Sequence, residues 1–123
     1  MAIDKILVVD DEEVISAYLQ RKLVKLGYSV DLAGDGEMAL NLAIATMPDI
    51  ILMDVKLPKL TGTEVCKRLK ADEKAKGIRV ILLSAKAQPE EIQEGFDAGA
   101  DDYLCKPMSF PDILTRINNQ KHI

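Results

Sequence analysis

Asp10 and Asp11 are adjacent carboxylates that end the apolar run Ile6-Leu7-Val8-Val9. Asp54 ends a second run, Ile50-Ile51-Leu52-Met53. Lys106-Pro107 follows a third, Tyr103-Leu104-Cys105, and Ser84 ends a fourth, Val80-Ile81-Leu82-Leu83. Taken singly, each residue has a plain reading. An Asp at a strand–helix junction caps a helix. Ser84 is a turn residue and Lys106 a solvated loop lysine. Taken together they suggest chemistry. Adjacent carboxylates raise each other's cost of ionisation, and a cation removes it. Mg²⁺ fits such a set, because it takes oxygen ligands and is often held by one or two carboxylates plus a phosphate. Asp54 beside the acidic pair is then a metal ligand or a nucleophile. A hydroxyl at Ser84 can hydrogen-bond a phosphoryl oxygen, and Lys106 can meet an anion as a compact point charge.

These residues act together only if the fold gathers them. Short apolar runs of this kind read as buried parallel strands. Parallel neighbours in one sheet bring their C-terminal ends to one edge, where open α/β sheets carry their sites. The rest of the chain supports that arrangement. Lys5 to Asp10 reads as strand 1, and Glu12 to Leu26 as helix 1, with Ile15, Leu19, Leu23 and Leu26 on its apolar stripe. Gly27 is its C-cap candidate. Tyr28 to Ala33 is strand 2, polar at alternate positions and so placed near a sheet edge. Gly36 to Met47 is helix 2, stopped by Pro48, and Ile50 to Asp54 is strand 3.

The loop Val55 to Leu60 leads into helix 3, which runs to about Ala75. Thr61 and Glu64 fit a capping box at its start. Ile78 to Ser84 is strand 4. Pro89, Glu90 and Glu91 open helix 4, and Gly99 ends it. Asp102 to Cys105 is strand 5, and Ser109 to about Asn119 is helix 5, with Ile113, Leu114 and Ile117 toward the core. Five βα units with short loops imply an α/β fold: a wound parallel sheet with helices on both faces. No repeat or linker interrupts it, so residues 1–123 read as one domain, either complete in itself or a module of a longer protein.

Composition bounds the function. The chain has 123 residues, 48% of them hydrophobic and 29% charged, as in a soluble globular domain with one core. No apolar run suits a membrane span, and Met1-Ala2-Ile3-Asp4-Lys5 has no signal-peptide pattern, so a cytoplasmic location is expected. The net charge of −4 and the lack of a basic block argue against direct nucleic-acid binding. Cys66 and Cys105 sit in no metal or redox spacing and read as reduced thiols. The lone His122 reads as a solvated tail residue.

The set Asp10-Asp11, Asp54, Ser84 and Lys106-Pro107, in order and spacing over nearly the whole chain, resembles the receiver domain of two-component response regulators. The resemblance implies a flavodoxin-like (βα)5 three-layer sandwich with strand order 2-1-3-4-5. It implies a phosphorylation-controlled signalling switch, in which Asp54 accepts a phosphoryl group from a phosphohistidine of a sensor histidine kinase or a phosphotransfer protein. Asp10, Asp11, Asp54 and the backbone carbonyl of Lys56 would hold Mg²⁺ (or Mn²⁺). Lys106 would pair with the phosphoryl group, Ser84 would hydrogen-bond it, and Tyr103 would rotate inward. The Lys106-Pro107 bond would be cis.

The domain would catalyse its own phosphorylation and dephosphorylation, with no separate substrate turnover. Val14, Ile15 and Tyr18 would form a docking patch for the phosphotransfer partner. The face of helix 4, strand 5 and helix 5 would serve output or homodimerisation. Lys56 and Lys86, two residues past Asp54 and Ser84, would flank the path of water to the acyl phosphate, with Lys56 shielding it. One departure is local: Thr61-Gly62 stands where many receivers carry Asp-Gly.

Three other classes fit less well. An aspartyl-phosphate phosphatase places its nucleophile after the first strand with a second Asp two residues on, whereas this strand ends Asp10-Asp11-Glu12. A flavin-binding electron carrier needs a hydroxyl- and glycine-rich loop there, where these acids would repel a phosphate. A degenerate receiver would not keep the acceptor, the acidic pair and the lysine together.

Overall fold

The structure is a computed structural model, and it describes residues 2–121. Five strands alternate with five helices: β1 (Lys5–Val9), α1 (Glu13–Lys25), β2 (Ser29–Ala33), α2 (Gly36–Thr46), β3 (Ile50–Asp54), α3 (Gly62–Ala71), β4 (Arg79–Ser84), α4 (Pro89–Asp97), β5 (Asp102–Cys105) and α5 (Phe110–Gln120). All pairings are parallel, in the order β2-β1-β3-β4-β5. The fold class and strand order are therefore those expected.

The period-2 alternation of a strand sends successive side chains to opposite faces. Leu7, Val9, Ile51, Met53, Val80 and Leu82 pack on one face with residues of α2 and α3. Ile6, Val8, Ile50, Leu52, Ile81 and Leu83 pack on the other with Leu19 and Leu23 of α1 and Ile113 and Ile117 of α5. A strand covered on both faces must be apolar at every position, which is why β1, β3 and β4 are continuous runs and the edge strand β2 is not. Register then sets the site. Val9 lies beside Met53, Asp54 beside Leu83, and Ser84 beside Cys105. The residues that follow β1 and β5, together with the last residues of β3 and β4, share one edge of the sheet.

Several boundaries differ from expectation for local reasons. Strand 1 stops at Val9, because the Asp10 side chain turns back to accept the Glu12 N–H at 2.9 Å. Glu12 is the N-cap of α1, which begins at Glu13. Helix 1 ends in a Schellman motif, with Tyr28 N–H to the Leu23 carbonyl at 3.2 Å and Gly27 N–H to Val24 at 3.0 Å. Gly27 supplies the required positive φ of 97°. Leu26 lies past the last helical turn and is exposed, so it leaves the stripe assigned to it. Helix 3 ends at Ala71, short of Ala75. The Asp72 carboxylate accepts the N–H groups of Lys74 and Ala75, offering the backbone a turn in place of further helix. Ala75 is buried nonetheless, which is why the periodicity runs on to it. Leu114 is half-buried at the margin of the core. His122 lies outside the described residues.

Candidate functional site

Asp54 ends β3 and is buried, with 8% of its surface exposed. Its Oδ2 accepts from Lys106 Nζ at 2.9 Å, and its Oδ1 accepts the Lys56 N–H at 3.2 Å. Lys106 is placed by its own backbone, whose N–H donates to the Ser84 carbonyl at 2.7 Å. The Lys106-Pro107 peptide is cis. Carboxylate oxygens of buried Asp10, exposed Asp11 and buried Asp54 all lie within 4.8 Å of one another. Sequence and sheet register thus bring together Asp54, the acidic pair and the ammonium.

The charges are mutually dependent. Burial is the main influence on Asp10 and raises its carboxyl above the usual range. The Glu12 N–H and the Lys106 charge offset part of this, while Asp54 adds to it. Burial alone would lower Lys106, but its bond to Asp54 and the charges of Asp54, Asp10 and Glu12 outweigh it, so the ammonium is held above its ordinary value. Burial and the neighbouring Asp54 thus both disfavour the charged form of Asp10, and a cation among these carboxylates would offset that cost. The donor set fits a hard divalent ion with oxygen ligands.

Glycine permits the close packing around Asp54. A Cβ on Gly62 would stand 2.3 Å from the Asp54 carbonyl oxygen. The N-terminus of α3 therefore sits directly against the backbone of Asp54, fixed by Gly62 N–H to the Val55 carbonyl at 2.8 Å. The capping box of Thr61 and Glu64 forms as expected, so the Thr61-Gly62 pair keeps both requirements of this turn: a cap and a residue without a side chain.

Ser84 and Tyr103 both grip Lys86. Buried Ser84 Oγ accepts the Lys86 N–H at 2.9 Å. The Tyr103 hydroxyl donates to the Lys86 carbonyl at 2.8 Å. Tyr103 is already inward, with 7% of its surface exposed, where the resemblance gave rotation as a step of switching. Burial pushes its phenol upward, offset in part by Ser84. Lys56 and Lys86 both line the crevice above Asp54, along with Glu12, Leu57, Pro58 and Ala85. The Lys86 ammonium stands 3.8 Å from Glu91.

Val14 is 84% exposed and Tyr18 41% exposed on α1. Ile15 and Tyr18 border an apolar cleft with Leu83, Pro107, Met108 and Phe110 that reaches Asp10 and Lys106. Cys66 is buried and Cys105 half-buried, both as free thiols. Among the described residues, no helix is long and apolar enough to cross a membrane.

Sequence reasoning passed over the two bonds to Lys86 and the glycine contacts. Backbone partners carry no residue-type signal. Gly62 beside a capping threonine was a visible cue to a close approach, but only the packing identifies what approaches.

A parallel five-stranded sheet with this acidic edge and a facing lysine defines a class of phosphoryl-accepting signalling domains, and the comparisons agree. A family model of the response regulator receiver domain matches residues 6–118. The chain belongs to this family, whose members act as phosphoryl-accepting switches in two-component signalling. It is 42% identical over 113 residues to the DNA-binding dual master transcriptional regulator RpaA of Synechocystis sp., covering 92% of this chain and 47% of RpaA. It is likewise 42% identical over 113 residues to the response regulator MprA of Mycolicibacterium vanbaalenii, covering 92% of this chain and 48% of that one. The chain thus spans about half the length of the curated relatives it matches. In structure it is similar to the chemotaxis response regulator CheY4 of Vibrio cholerae, with a TM-score of 0.89, 32% identity, and coverage of 96% of this chain and 98% of that one.

Proposed function

We propose that Asp54 is the phosphoacceptor of this receiver domain, which takes a phosphoryl group from a phosphohistidine of a sensor histidine kinase or phosphotransfer protein. The observation that carries this reading is the buried Asp54 carboxylate, bonded to Lys106 at 2.9 Å and facing Asp10 and Asp11. An Asp54 oxygen attacks phosphorus in line, the O–P bond forms, and the P–N bond to the imidazole breaks. Asp10, Asp11, Asp54 and the Lys56 carbonyl would hold Mg²⁺, which supplies charge neutralisation at the transferring oxygens. Lys106, already bonded to Asp54, would add its own positive charge at the same oxygens. Ser84 Oγ accepts the Lys86 N–H and lines the crevice over Asp54, where its hydroxyl would turn to donate to a phosphoryl oxygen.

Residues 1–123 act in this reading as one receiver domain that catalyses its own phosphorylation and dephosphorylation in the cytoplasm. Phosphorylation adds charge and acceptor oxygens beside Ser84 and Lys106. Because Tyr103 is already inward, the added charge stabilises an existing arrangement, a population shift in the loops after β4 and β5. The face of α4, β5 and α5 carries that shift to a partner or a second copy. Val14, Ile15 and Tyr18 serve the phosphodonor, since Ile15 and Tyr18 border a cleft that reaches Asp10 and Lys106 and Val14 is exposed beside them on α1. Chemical-shift mapping with a phosphotransfer protein tests this placement. Shifts on α1 and around Asp54 are expected, and shifts confined to α4 would reject it.

A further inference from the structure

Gly95 lies in the interior of α4 and is buried there. Glycine is the poorest helix former short of proline, so α4 is weakened by carrying it at this position. The packing supplies a reason. A Cβ at Gly95 would stand 2.8 Å and 2.9 Å from the Cδ2 and Cε2 atoms of the Tyr103 ring, and 3.2 Å from Leu82 Cδ1. The ring edge therefore occupies the space that any other side chain at this position would need. Gly95 is not strained into a left-handed conformation, since only Gly27 and Gly99 carry positive φ among the described glycines. Space alone explains its presence.

We propose that Gly95 is the positioning residue that sets the inward state of Tyr103, and through it the resting balance of the switch. The proposal rests on the reading of Tyr103 as the switch aromatic. The two neighbours of an added methyl differ in freedom. Leu82 is fully buried in the sheet, whereas Tyr103 borders a surface cleft with Lys67, Lys86, Glu91 and Glu94, and its tilted neighbour Phe96, at a centroid distance of 6.5 Å, is exposed on α4. A methyl at Gly95 would evict the ring toward solvent, and with it the hydroxyl that holds the Lys86 carbonyl. Asp54, Lys106 and the acidic pair lie outside this contact. The phosphoryl chemistry and the output would come apart in one substitution.

The test compares the full chain with Gly95→Ala by tyrosine nitration mapped to peptides, alongside intact mass after acetyl phosphate and Mg²⁺. Nitration at Tyr103 should rise several-fold in the variant, toward that of exposed Tyr18, while phosphoryl uptake stays at the wild-type level. Thermal melting of Tyr103→Ala and of Gly95→Ala/Tyr103→Ala guards against a general folding defect. Alanine at 95 should lower the melting temperature only when the tyrosine is present. Equal protection of Tyr103 in both proteins would overturn the proposal, as would equal destabilisation in both backgrounds. If the ring is freed but the response of a partner to acetyl phosphate persists in full, the contact stands and the switch reading of Tyr103 falls.

Discussion

The Tyr103 hydroxyl donates to the Lys86 carbonyl at 2.8 Å, joining β5 to the loop that follows β4. The same residue gives its N–H to Ser84. Lys86 is thus held from both sides, by the hydroxyl that would sense a phosphoryl group and by the aromatic that would report it. Tyr103→Phe removes one of these bonds and keeps the ring. A loss of about 1 kcal/mol in urea unfolding is expected. Phosphoryl uptake should stay normal, while the coupling of uptake to partner binding weakens.

Asp10→Asn should stabilise the metal-free protein at neutral pH. Burial raises the Asp10 carboxyl above its unfolded value, so the folded state binds that proton more tightly. Its contribution is fully present below the unfolded value and is lost as pH rises through the folded value. At neutral pH the charged form is a net cost. Asparagine keeps the acceptor for the Glu12 N–H without the charge. Melting in EDTA should shift upward in the variant, with the difference vanishing in acid. Added Mg²⁺ should stabilise the wild type and leave the variant unmoved.

Gly62→Ala should destabilise the domain by about 1–3 kcal/mol, the range for overpacking a filled site. The new methyl would meet the Asp54 carbonyl oxygen, a backbone atom that cannot swing away. Chemical denaturation measures the loss, and phosphoryl uptake should fall with it because Asp54 itself is displaced. Thr61→Ser, which keeps the cap, should change little.

The two thiols should separate cleanly. Burial pushes Cys66 up to about 11, and the thiolate is the reactive form. Native protein at pH 8 should react with a thiol reagent at half-buried Cys105 and not at Cys66. Cys66 should react only once the chain is unfolded, at any pH below its folded value.

The sheet edge was legible in the sequence because it rests on strand register, which apolar runs encode directly. Asp10, Asp54, Ser84 and Lys106 each end or follow such a run, and the register leaves them no other place. The capping box at Thr61 was legible for a similar reason, since its partners are local. The end of α3 was not. Buried Ala75 continues the helical period, while the Asp72 side chain diverts the backbone before it. Nor was the inward Tyr103, which depends on a bond to a carbonyl and on empty space over Gly95. Neither a carbonyl nor a missing side chain leaves a pattern along the chain.

Phosphorylation of Asp54 is the central claim, and intact mass after incubation with acetyl phosphate and Mg²⁺ tests it most directly. The wild type should gain one phosphoryl group, EDTA should prevent the gain, and Asp54→Ala should show none. A wild type that gains nothing, or an equal gain in Asp54→Ala, would contradict it.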